Sequence, residues 1–429
     1  MEKQRELEDI NNRYSGGENL DLKDILLKNR RLSYTEKLDY FSGFLKMLDS
    51  VQGNQYRRMI ISPAGTEVEV IDKYDNTIRK MIMFGSNNYL GLANHPLVVE
   101  KVKKAINKYG IGIGGPPLLN GYTQLHAELE NKLAVLKKKE SVMLFSSGYN
   151  ANVGLVSGLC SDKNDAFIYD EYSHASLYDG IKLAQVPSYA FKHNNTVDLE
   201  TILRKTSDRL NQFVAVEGVY SMDGDMCPLD EIVKIARRYN AITILDDAHA
   251  TLVLGDGGSG SAGMFETASC VDITMGTFSK AFAVTGGFVA GSKDLVEYLR
   301  YFARSYMFSA SLSIPVVATV LACLEVIEAQ PDLRIRLIEN VGYAKEKLRK
   351  FGLVTDPKAA IIALRVPANM DIRKAAHIFH KNGIFINSIE YPAVPKHEQR
   401  FRISLMATHT YKQIDRLVEV VEQVWQQEQ

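Results

Sequence analysis

One lysine of the chain is flanked by residues whose types could support covalent chemistry. Lys280 lies in the segment GTFSKAF (276–282), directly after the apolar run 271–275. A lysine at the exit of a buried strand can form an imine with a ligand aldehyde when burial lowers its pKa and frees its lone pair. Thr277 and Ser279 add hydroxyls that suit a phosphate. A surface lysine in a loop is the plainer alternative, and this segment alone does not separate the two.

A second apolar run, residues 242–245, is followed by Asp246 and, three positions later, by His249. At a strand end, such a carboxylate can hold the nitrogen of a pyridine ring protonated while the imidazole lies beside a ring hydroxyl. The ring then acts as an electron sink. A helix-capping aspartate with a structural histidine is the alternative. Because Lys280 follows one strand later, the chemical interpretation is favoured.

Two further segments begin where predicted strands end. SSGYNAN (146–152) places small residues, among them Gly148, at a predicted helix start, where backbone N–H groups bind phosphate well. An ordinary turn would have the same composition. His174 follows the apolar run 166–169, and its flat ring could stack on a heteroaromatic cofactor. A single histidine is more often structural, so a functional role for His174 is favoured only because the other candidate residues accompany it.

Composition and charge argue against several other classes of function. Lys plus Arg and Asp plus Glu both number 51, so the net charge gives no electrostatic case for nucleic-acid binding. The sequence has neither an H-E-x-x-H zinc pattern nor a P-loop, and the glycines of 110–115 follow a helical pattern rather than a strand, which argues against a nicotinamide site. We expect no metal site and no dense disulfide framework, because the cysteines are far apart: Cys160, Cys227, Cys270 and Cys323.

Two segments bear on location. Residues 1–24 are charged and contain no apolar run, which argues against a secretory signal and favours the cytoplasm. Residues 305–324 carry no charge over a length that could span a bilayer, but they contain several serines and Pro315. We therefore expect a buried loop leading into a helix there, and no transmembrane span.

The elements that must position the candidate residues follow from the pattern after about Met81, where short apolar runs alternate with amphipathic helices. This alternation predicts an α/β fold with a mostly parallel sheet and helices on both faces. In such sheets ligands lie beyond the carboxyl ends of the strands, where the candidates fall. The predicted strands are 142–145, 166–169, 213–216, 242–245 and 271–275.

Three regions are predicted along the chain. Residues 1–80 are polar and have helical patterning around Phe44, which is typical of an N-terminal arm and lead-in. Residues 81–330 form the large domain. Residues 331–429 change to a helix, strand and helix pattern, which predicts a small α+β C-terminal domain.

Taken together, these segments resemble the α-oxoamine synthases of the fold-type I pyridoxal phosphate (PLP) enzymes. That family includes serine palmitoyltransferase, glycine C-acetyltransferase, 8-amino-7-oxononanoate synthase and 5-aminolevulinate synthase. The resemblance covers about 84–410 and implies a large domain with a seven-stranded sheet. It is carried, in family order, by SNNYLGLANHP, LLNG, SSGYNAN, SHASLYDG, EGVYSMDGD, DDAHA, GTFSK, FSASL and RFRISLMATHT.

The resemblance implies a role for each candidate residue. Lys280 would hold PLP as a Schiff base, Asp246 would pair with the pyridinium nitrogen, His249 would lie near the ring hydroxyl and His174 would stack on the ring. Arg402 would bind the amino-acid carboxylate, as a guanidinium fork does well. Further contacts to cofactor or substrate are implied for Gly148, Tyr149, Ser221, Thr277 and Asn87.

Ser309 would reach the phosphate from the other subunit, so the resemblance implies a homodimer with shared active sites. The implied reaction is a decarboxylative condensation of an acyl thioester with a small amino acid. Serine palmitoyltransferase is the leading subfamily, because SHASLYDG and EGVYSMDGD match it best. The segment Gly115-Pro116-Pro117 departs from the Gly-Ser-Arg of many relatives near the substrate entrance.

That departure leaves open an acetyltransferase using glycine, an 8-amino-7-oxononanoate synthase or a cysteate acyltransferase. The acyl length is left open too, and the sequence as a whole does not distinguish coenzyme A from a carrier protein as the acyl donor. A PLP aminotransferase or decarboxylase is a more distant alternative, because a shared fold does not fix the reaction. A catalytically silent partner subunit is another alternative, against which the intact Lys280, Asp246 and His249 argue.

Overall fold

The computed structural model describes residues 20–160, 163–265 and 270–427. Residues 1–19, which begin the predicted N-terminal arm, lie outside the described residues. The helices are α1 (Leu22–Asn29), α2 (Tyr34–Ser50), α3 (Pro96–Tyr109), α4 (Gln124–Lys137), α5 (Gly148–Leu159), α6 (Ala175–Ala184), α7 (Thr196–Lys205), α8 (Leu229–Arg238), α9 (Lys293–Phe302), α10 (Arg304–Met307), α11 (Ile314–Ala329), α12 (Asp332–Leu348), α13 (Ile372–Lys381) and α14 (Tyr411–Gln427). The strands are β1 (Met59–Ile60), β2 (Glu67–Ile71), β3 (Ile78–Met83), β4 (Ser141–Phe145), β5 (Ala166–Asp170), β6 (Ser188–Phe191), β7 (Gln212–Glu217), β8 (Ile242–Asp246), β9 (Ile273–Thr277), β10 (Gly287–Gly291), β11 (Ile361–Arg365), β12 (Ile384–Phe385), β13 (Asn387–Ile389) and β14 (Arg400–Ser404).

The largest sheet has seven strands in the order β4-β10-β9-β8-β7-β5-β6. Strand β10 runs antiparallel to both of its neighbours, and the other pairings are parallel. The prediction of a mostly parallel α/β sheet is therefore confirmed. Strands β7, β9 and β10 are buried along their whole length, as expected for a sheet with helices on both faces.

The carboxyl ends of the central strands place acidic and hydroxyl side chains next to one another. Strands β5, β7, β8 and β9 end in Asp170, Glu217, Asp246 and Thr277. Glu217 and Asp246 are direct partners in the parallel register of β7 and β8. This edge of the sheet is where the sequence predicted the chemistry.

Two smaller sheets complete the fold. One has the order β11-β14-β13 and carries the RFRIS segment in β14. The other has the order β1-β2-β3-β12, in which β12 pairs in parallel with β3. Strand β12 of the C-terminal region thus shares a sheet with β1, β2 and β3 near the N-terminus. The predicted domain boundaries at 80 and 330 stay predictions.

The charge-free segment 305–324 contains the end of α10, a loop at 308–313 and the first part of α11, whose side chains Val317 and Val320 are fully buried. The expected helix is present, but the expected burial of the loop is wrong, because Phe308 is 68% exposed in the protomer. In the part of the chain that the structure describes, no single helix is long and apolar enough to cross a membrane. The consecutive helical segments Ile314–Ala329 and Asp332–Phe351 are long and apolar enough only when they are taken together, and they are bent by 82° relative to each other.

Candidate active site

A cavity of about 260 Å³ lies at the carboxyl edge of the seven-stranded sheet. The ends of β7, β8 and β9 form its floor, and the first turns of α5 and α6 form its sides. It brings together most of the residues that the sequence singled out. Its wall consists of Ser147, Gly148, Tyr149, His174, Ser176, Glu217, Asp246, Ala248, His249, Met275, Thr277, Ser279 and Lys280.

Lys280 enters this cavity from the turn after β9. Its ammonium forms no hydrogen bond or ion pair with any residue that the structure describes. Burial lowers the pKa of Lys280 to about 8, although the nearby carboxylates Asp246 and Glu217 oppose that shift. A lysine with this pKa has a substantial neutral fraction near pH 8 and can act as a nucleophile or a base.

Asp246 is held rigidly at the end of β8. Its Oδ1 accepts a hydrogen bond from the backbone N–H of Ala248 at 3.0 Å, and its Oδ2 accepts one from Asn152 Nδ2 at 2.8 Å. Asn152 also donates to Ser176 Oγ at 3.0 Å, so α5 and α6 together orient this carboxylate. The sequence analysis did not single out Asn152, since nothing in SSGYNAN marks its side chain as facing β8.

Glu217 is a member of the site that the sequence analysis missed. It is 3% exposed, and its Oε1 accepts a hydrogen bond from the backbone N–H of His174 at 2.5 Å. Burial, together with the charge of Asp246, raises the pKa of Glu217 well above its ordinary value. Glu217 directly follows the apolar run 213–216, so the search of strand ends that found Asp246 could also have found it.

His174 precedes α6 and caps it. Its Nδ1 accepts a hydrogen bond from the backbone N–H of Ser176 at 3.3 Å and lies 2.8 Å from Ser176 Oγ. Burial lowers the pKa of His174, although the charge of Asp246 opposes this shift. Because Nδ1 accepts from Ser176, the neutral form of this ring has its proton on Nε2. The ring lies between this cavity and a neighbouring one.

A chain of polar contacts links His249 to Arg402. The hydroxyl of Tyr89 lies 2.7 Å from His249 Nδ1 and donates to Asn87 Oδ1 at 3.0 Å. Both terminal nitrogens of Arg402 donate to Asn87 Oδ1 at 3.1 Å. Burial lowers the pKa of His249 far below its ordinary value, and the charges of Lys280 and Arg402 act in the same direction. Tyr89, which lies in SNNYLGLANHP, was not predicted as a site residue, because its role depends on contacts with residues distant in sequence.

Arg402 differs from Arg400, its neighbour on β14. Arg400 is 1% exposed and is neutralised by Asp223 and Glu398. Arg402 is 5% exposed, yet it donates only to neutral groups, among them the Ser221 carbonyl at 2.5 Å, and no described acidic residue pairs with it. A buried guanidinium without a carboxylate partner is suited to an anionic ligand.

A second group of contacts suits a phosphate. Ser147 caps α5 by accepting from the backbone N–H of Asn150 at 3.0 Å, and Gly148 begins the helix. A Cβ at Gly148 would lie 2.7 Å from the Cβ of Thr277, so this turn needs a glycine. The hydroxyls of Thr277 and Ser279 lie 3.0 Å apart beside this helix start. Tyr149 also lines the cavity, and its hydroxyl donates to Asp179.

Four predicted residues do not line the Lys280 cavity. Asn87 and Arg402 are linked to it through Tyr89 and His249. Ser221 lines the neighbouring cavity of about 670 Å³, which shares His174 with the first. Ser309 lines a third cavity, about 540 Å³, between the loop before α11 and the glycine-rich segment, with Pro116 and Leu119 in its wall. Within the protomer, the structure therefore does not bring Ser309 to the Lys280 cavity.

Comparison with known proteins agrees with this geometry. The family model described as aminotransferase class I and II matches residues 79–421. A serine palmitoyltransferase of Sphingobacterium spiritivorum is 38% identical over 394 residues, which are 92% of this chain and 97% of that protein. An 8-amino-7-oxononanoate synthase of Thermoanaerobacter pseudethanolicus is 36% identical over 400 residues, with coverages of 92% and 99%. A serine palmitoyltransferase solved with its PLP internal aldimine matches with a TM-score of 0.86 at 30% identity, covering 92% of this chain and 99% of that one.

The chain therefore belongs to the aminotransferase class I and II family, and its fold is that of the fold-type I PLP transferases. Within that family it is an α-oxoamine synthase, a PLP-dependent acyltransferase, as the resemblance implied. PLP is its cofactor.

The cavity fits this cofactor. Lys280 has an amine without a partner, the helix start at Gly148 lies beside two hydroxyls, and Asp246 presents a carboxylate held by Asn152. Among the described residues there is no group of His, Cys, Asp or Glu that could hold a metal ion.

Proposed function

We propose that the chain condenses an acyl thioester with a small amino acid, releasing carbon dioxide and the free thiol and leaving an α-amino ketone. The observation that carries this proposal is the unpaired guanidinium of Arg402, linked through Asn87 and Tyr89 to His249 in the wall of the Lys280 cavity. A substrate carboxylate would neutralise it. The leading amino acid is serine, in line with the similarity to serine palmitoyltransferases.

Bound PLP supplies an electron sink for the pair that remains on Cα when its proton leaves. Lys280, with a pKa near 8, is the base that takes the Cα proton, because its amine meets no competing partner. Asp246 would hold a proton on the ring nitrogen of the bound cofactor, and His174 would stack on its ring. Arg402 would bind the substrate carboxylate, which is later lost as carbon dioxide. By holding this group it would orient Cα, and the orientation of Cα determines which of its bonds can break.

We also propose a homodimer with shared active sites, in which Ser309 contributes to the partner's phosphate site. This proposal is supported by the apolar wall around Ser309, where Leu119 is 82% and Phe308 is 68% exposed. Such a surface is typical of an interface. The cytoplasm is the proposed location, and the absence of disulfides among the four cysteines is compatible with it.

The test is a titration of the PLP-loaded protein with glycine, alanine, serine and cysteate, followed by short and long acyl-CoAs and acyl carrier proteins. We expect one amino acid to change the visible absorbance of the cofactor and to support thiol release in a stoichiometry of one thiol per carbon dioxide. Alanine as that amino acid would favour the oxononanoate synthase alternative. A yellow protein that releases no thiol with any donor would contradict the proposal and favour an aminotransferase.

A further inference from the structure

One histidine outside the Lys280 cavity is enclosed between two carboxylates. His193 Nδ1 lies 2.9 Å from Asp170 Oδ1, and its Nε2 lies 2.9 Å from Asp225 Oδ2. Ionised carboxylates only accept hydrogen bonds, so both ring nitrogens donate and the ring is an imidazolium. Burial alone would lower the pKa of His193, but the hydrogen bonds and charges of the two carboxylates outweigh it and raise this pKa to about 10.

The two carboxylates belong to different loops of the site. Asp170 ends β5, and its Oδ1 also accepts from the backbone N–H of Tyr172 at 2.9 Å, which fixes the loop leading to His174. Asp225 closes the turn after β7, because its carbonyl accepts from the backbone N–H of Tyr220 at 3.0 Å. That turn contains Ser221, whose carbonyl accepts from Arg402 Nε.

Neighbouring groups hold the ring of His193 in this place. The ring of Tyr172 stacks on it at 4.3 Å with an interplanar angle of 17°, and the ring of Tyr220 meets it edge-on at 4.5 Å. Asn194 adds a second link between the two carboxylates. Its backbone N–H donates to Asp170 Oδ2 at 2.8 Å, and its Nδ2 donates to Asp225 Oδ2 at 2.9 Å. Asn194 adopts a φ of 55°, a left-handed conformation that asparagine tolerates better than most residues.

We infer that His193 is a positioning residue, whose imidazolium ties the loop carrying His174 to the turn carrying Ser221. The histidine that covers the cofactor and the arginine that binds the amino acid then keep a fixed separation. A small displacement of either group would misalign the reacting atoms, and misplacement of about 1 Å can cost about 100-fold in rate. The inference rests on the proposed function, because it requires His174 and Arg402 to act in one reaction.

The test compares three variants of the full-length, PLP-loaded protein. His193→Phe keeps a ring between Tyr172 and Tyr220 but removes both donors. Asp225→Asn keeps an acceptor for His193 and removes only the charge. His397→Phe is the matched control, since His397 is 81% exposed and its ion pair is a 3.7 Å contact with its neighbour Glu398.

We expect His193→Phe to raise the amino-acid KM about tenfold and to lower kcat per bound cofactor about tenfold, with Asp225→Asn intermediate and His397→Phe unchanged. Amide hydrogen exchange should become faster in 171–175 and in 220–225, both with and without the cofactor. These two segments lie on opposite sides of the His193 ring. Faster exchange in both would therefore show that the connection through His193 has been lost.

Unchanged KM, kcat per bound cofactor and exchange in His193→Phe would overturn the inference. A loss of folded protein with an unaltered KM per folded site would also overturn it, because that is the effect of a purely structural residue. If His193→Phe does not fold, Asp225→Asn decides by the same three readouts. Wild-type protein that releases no thiol would contradict the proposed function instead, while exchange and the amino-acid absorbance titration would still test the tie.

Discussion

Asp246 and Asp247 are adjacent in the chain, and a lysine lies near each of them, but the two lysines have opposite surroundings. On the core side, Lys137 Nζ donates to Asp247 Oδ2 at 2.6 Å, to Thr251 Oγ1 at 2.8 Å and to the Ser259 carbonyl at 2.8 Å. On the cavity side, Lys280 has no hydrogen bond or ion pair with a described residue. Each donor of Lys137 has a partner, whereas the amine of Lys280 is available to a ligand.

The same contrast separates the two arginines of β14. Arg400 is neutralised by two carboxylates, whereas Arg402 has only neutral partners. A buried charge without a partner is costly, and proteins keep such groups where a ligand completes them. Basic groups with a carboxylate partner therefore belong to the framework of this site, and basic groups without one are the candidates for its chemistry.

The largest effect that this comparison predicts is on catalysis. Lys280→Ala should lower product formation by at least about 1,000-fold, because it removes the amine that we propose holds the cofactor and takes the Cα proton. The fold should remain intact, since no described partner of Lys280 is lost. Lys104→Ala, at a lysine that is 73% exposed, is the control. Substantial product formation by purified Lys280→Ala would contradict this role.

Lys137→Met should instead affect stability. It leaves Asp247 buried without a cation, which we expect to lower the free energy of unfolding by about 3–5 kcal/mol. The kcat of the folded, PLP-loaded fraction should stay within a few-fold of the wild type. Urea unfolding followed by circular dichroism measures the first effect, and an unchanged midpoint would show that Lys137 is not part of the framework.

The arginines offer a matched pair on one strand. Arg402→Gln should raise the amino-acid KM about 100-fold, because it removes the cation that would bind the substrate carboxylate. It should lower stability less than Arg400→Gln, because its partners are neutral rather than carboxylates. Arg400→Gln should lower the melting temperature, because it breaks the ion pairs with Asp223 and Glu398, and it should raise KM far less than Arg402→Gln. Equal effects of the two substitutions on KM would contradict the distinction between them.

The smallest effect concerns pH. The neutral amine of Lys280 increases as pH rises through its pKa of about 8, so the rate of PLP loading onto cofactor-free protein should increase about tenfold from pH 7 to pH 9 and then level off. A lysine with its ordinary pKa would give a rate that keeps rising above pH 9. Stopped-flow absorbance measures this rate. The absence of a plateau would show that the pKa of Lys280 is not lowered.

Sequence reasoning succeeded where a residue's role follows from its place at a strand end. The apolar runs located β5, β7, β8 and β9, and the residues after them include Lys280, Asp246 and His174, which the structure places in one cavity. Strands β6 and β10 were not predicted. The first is only partly buried, and the second lies between glycines, so neither gives a clear apolar run.

Residues whose roles depend on distant contacts were harder to predict. Tyr89 lies 160 positions from its partner His249, and Asn152 lies 94 positions from Asp246, so no local pattern marks them. The exposure of Phe308 in the loop before α11 was also missed, because absence of charge alone does not distinguish a buried loop from an apolar surface.

The most direct test of the account asks which lysine holds the cofactor. The PLP-loaded protein would be reduced with sodium borohydride, which fixes the cofactor covalently to its lysine, and the modified peptide would be identified by mass spectrometry. We predict modification at Lys280 and none at Lys137. Modification of another lysine, or of none, would contradict the assignment of the unpaired lysine as the centre of the site.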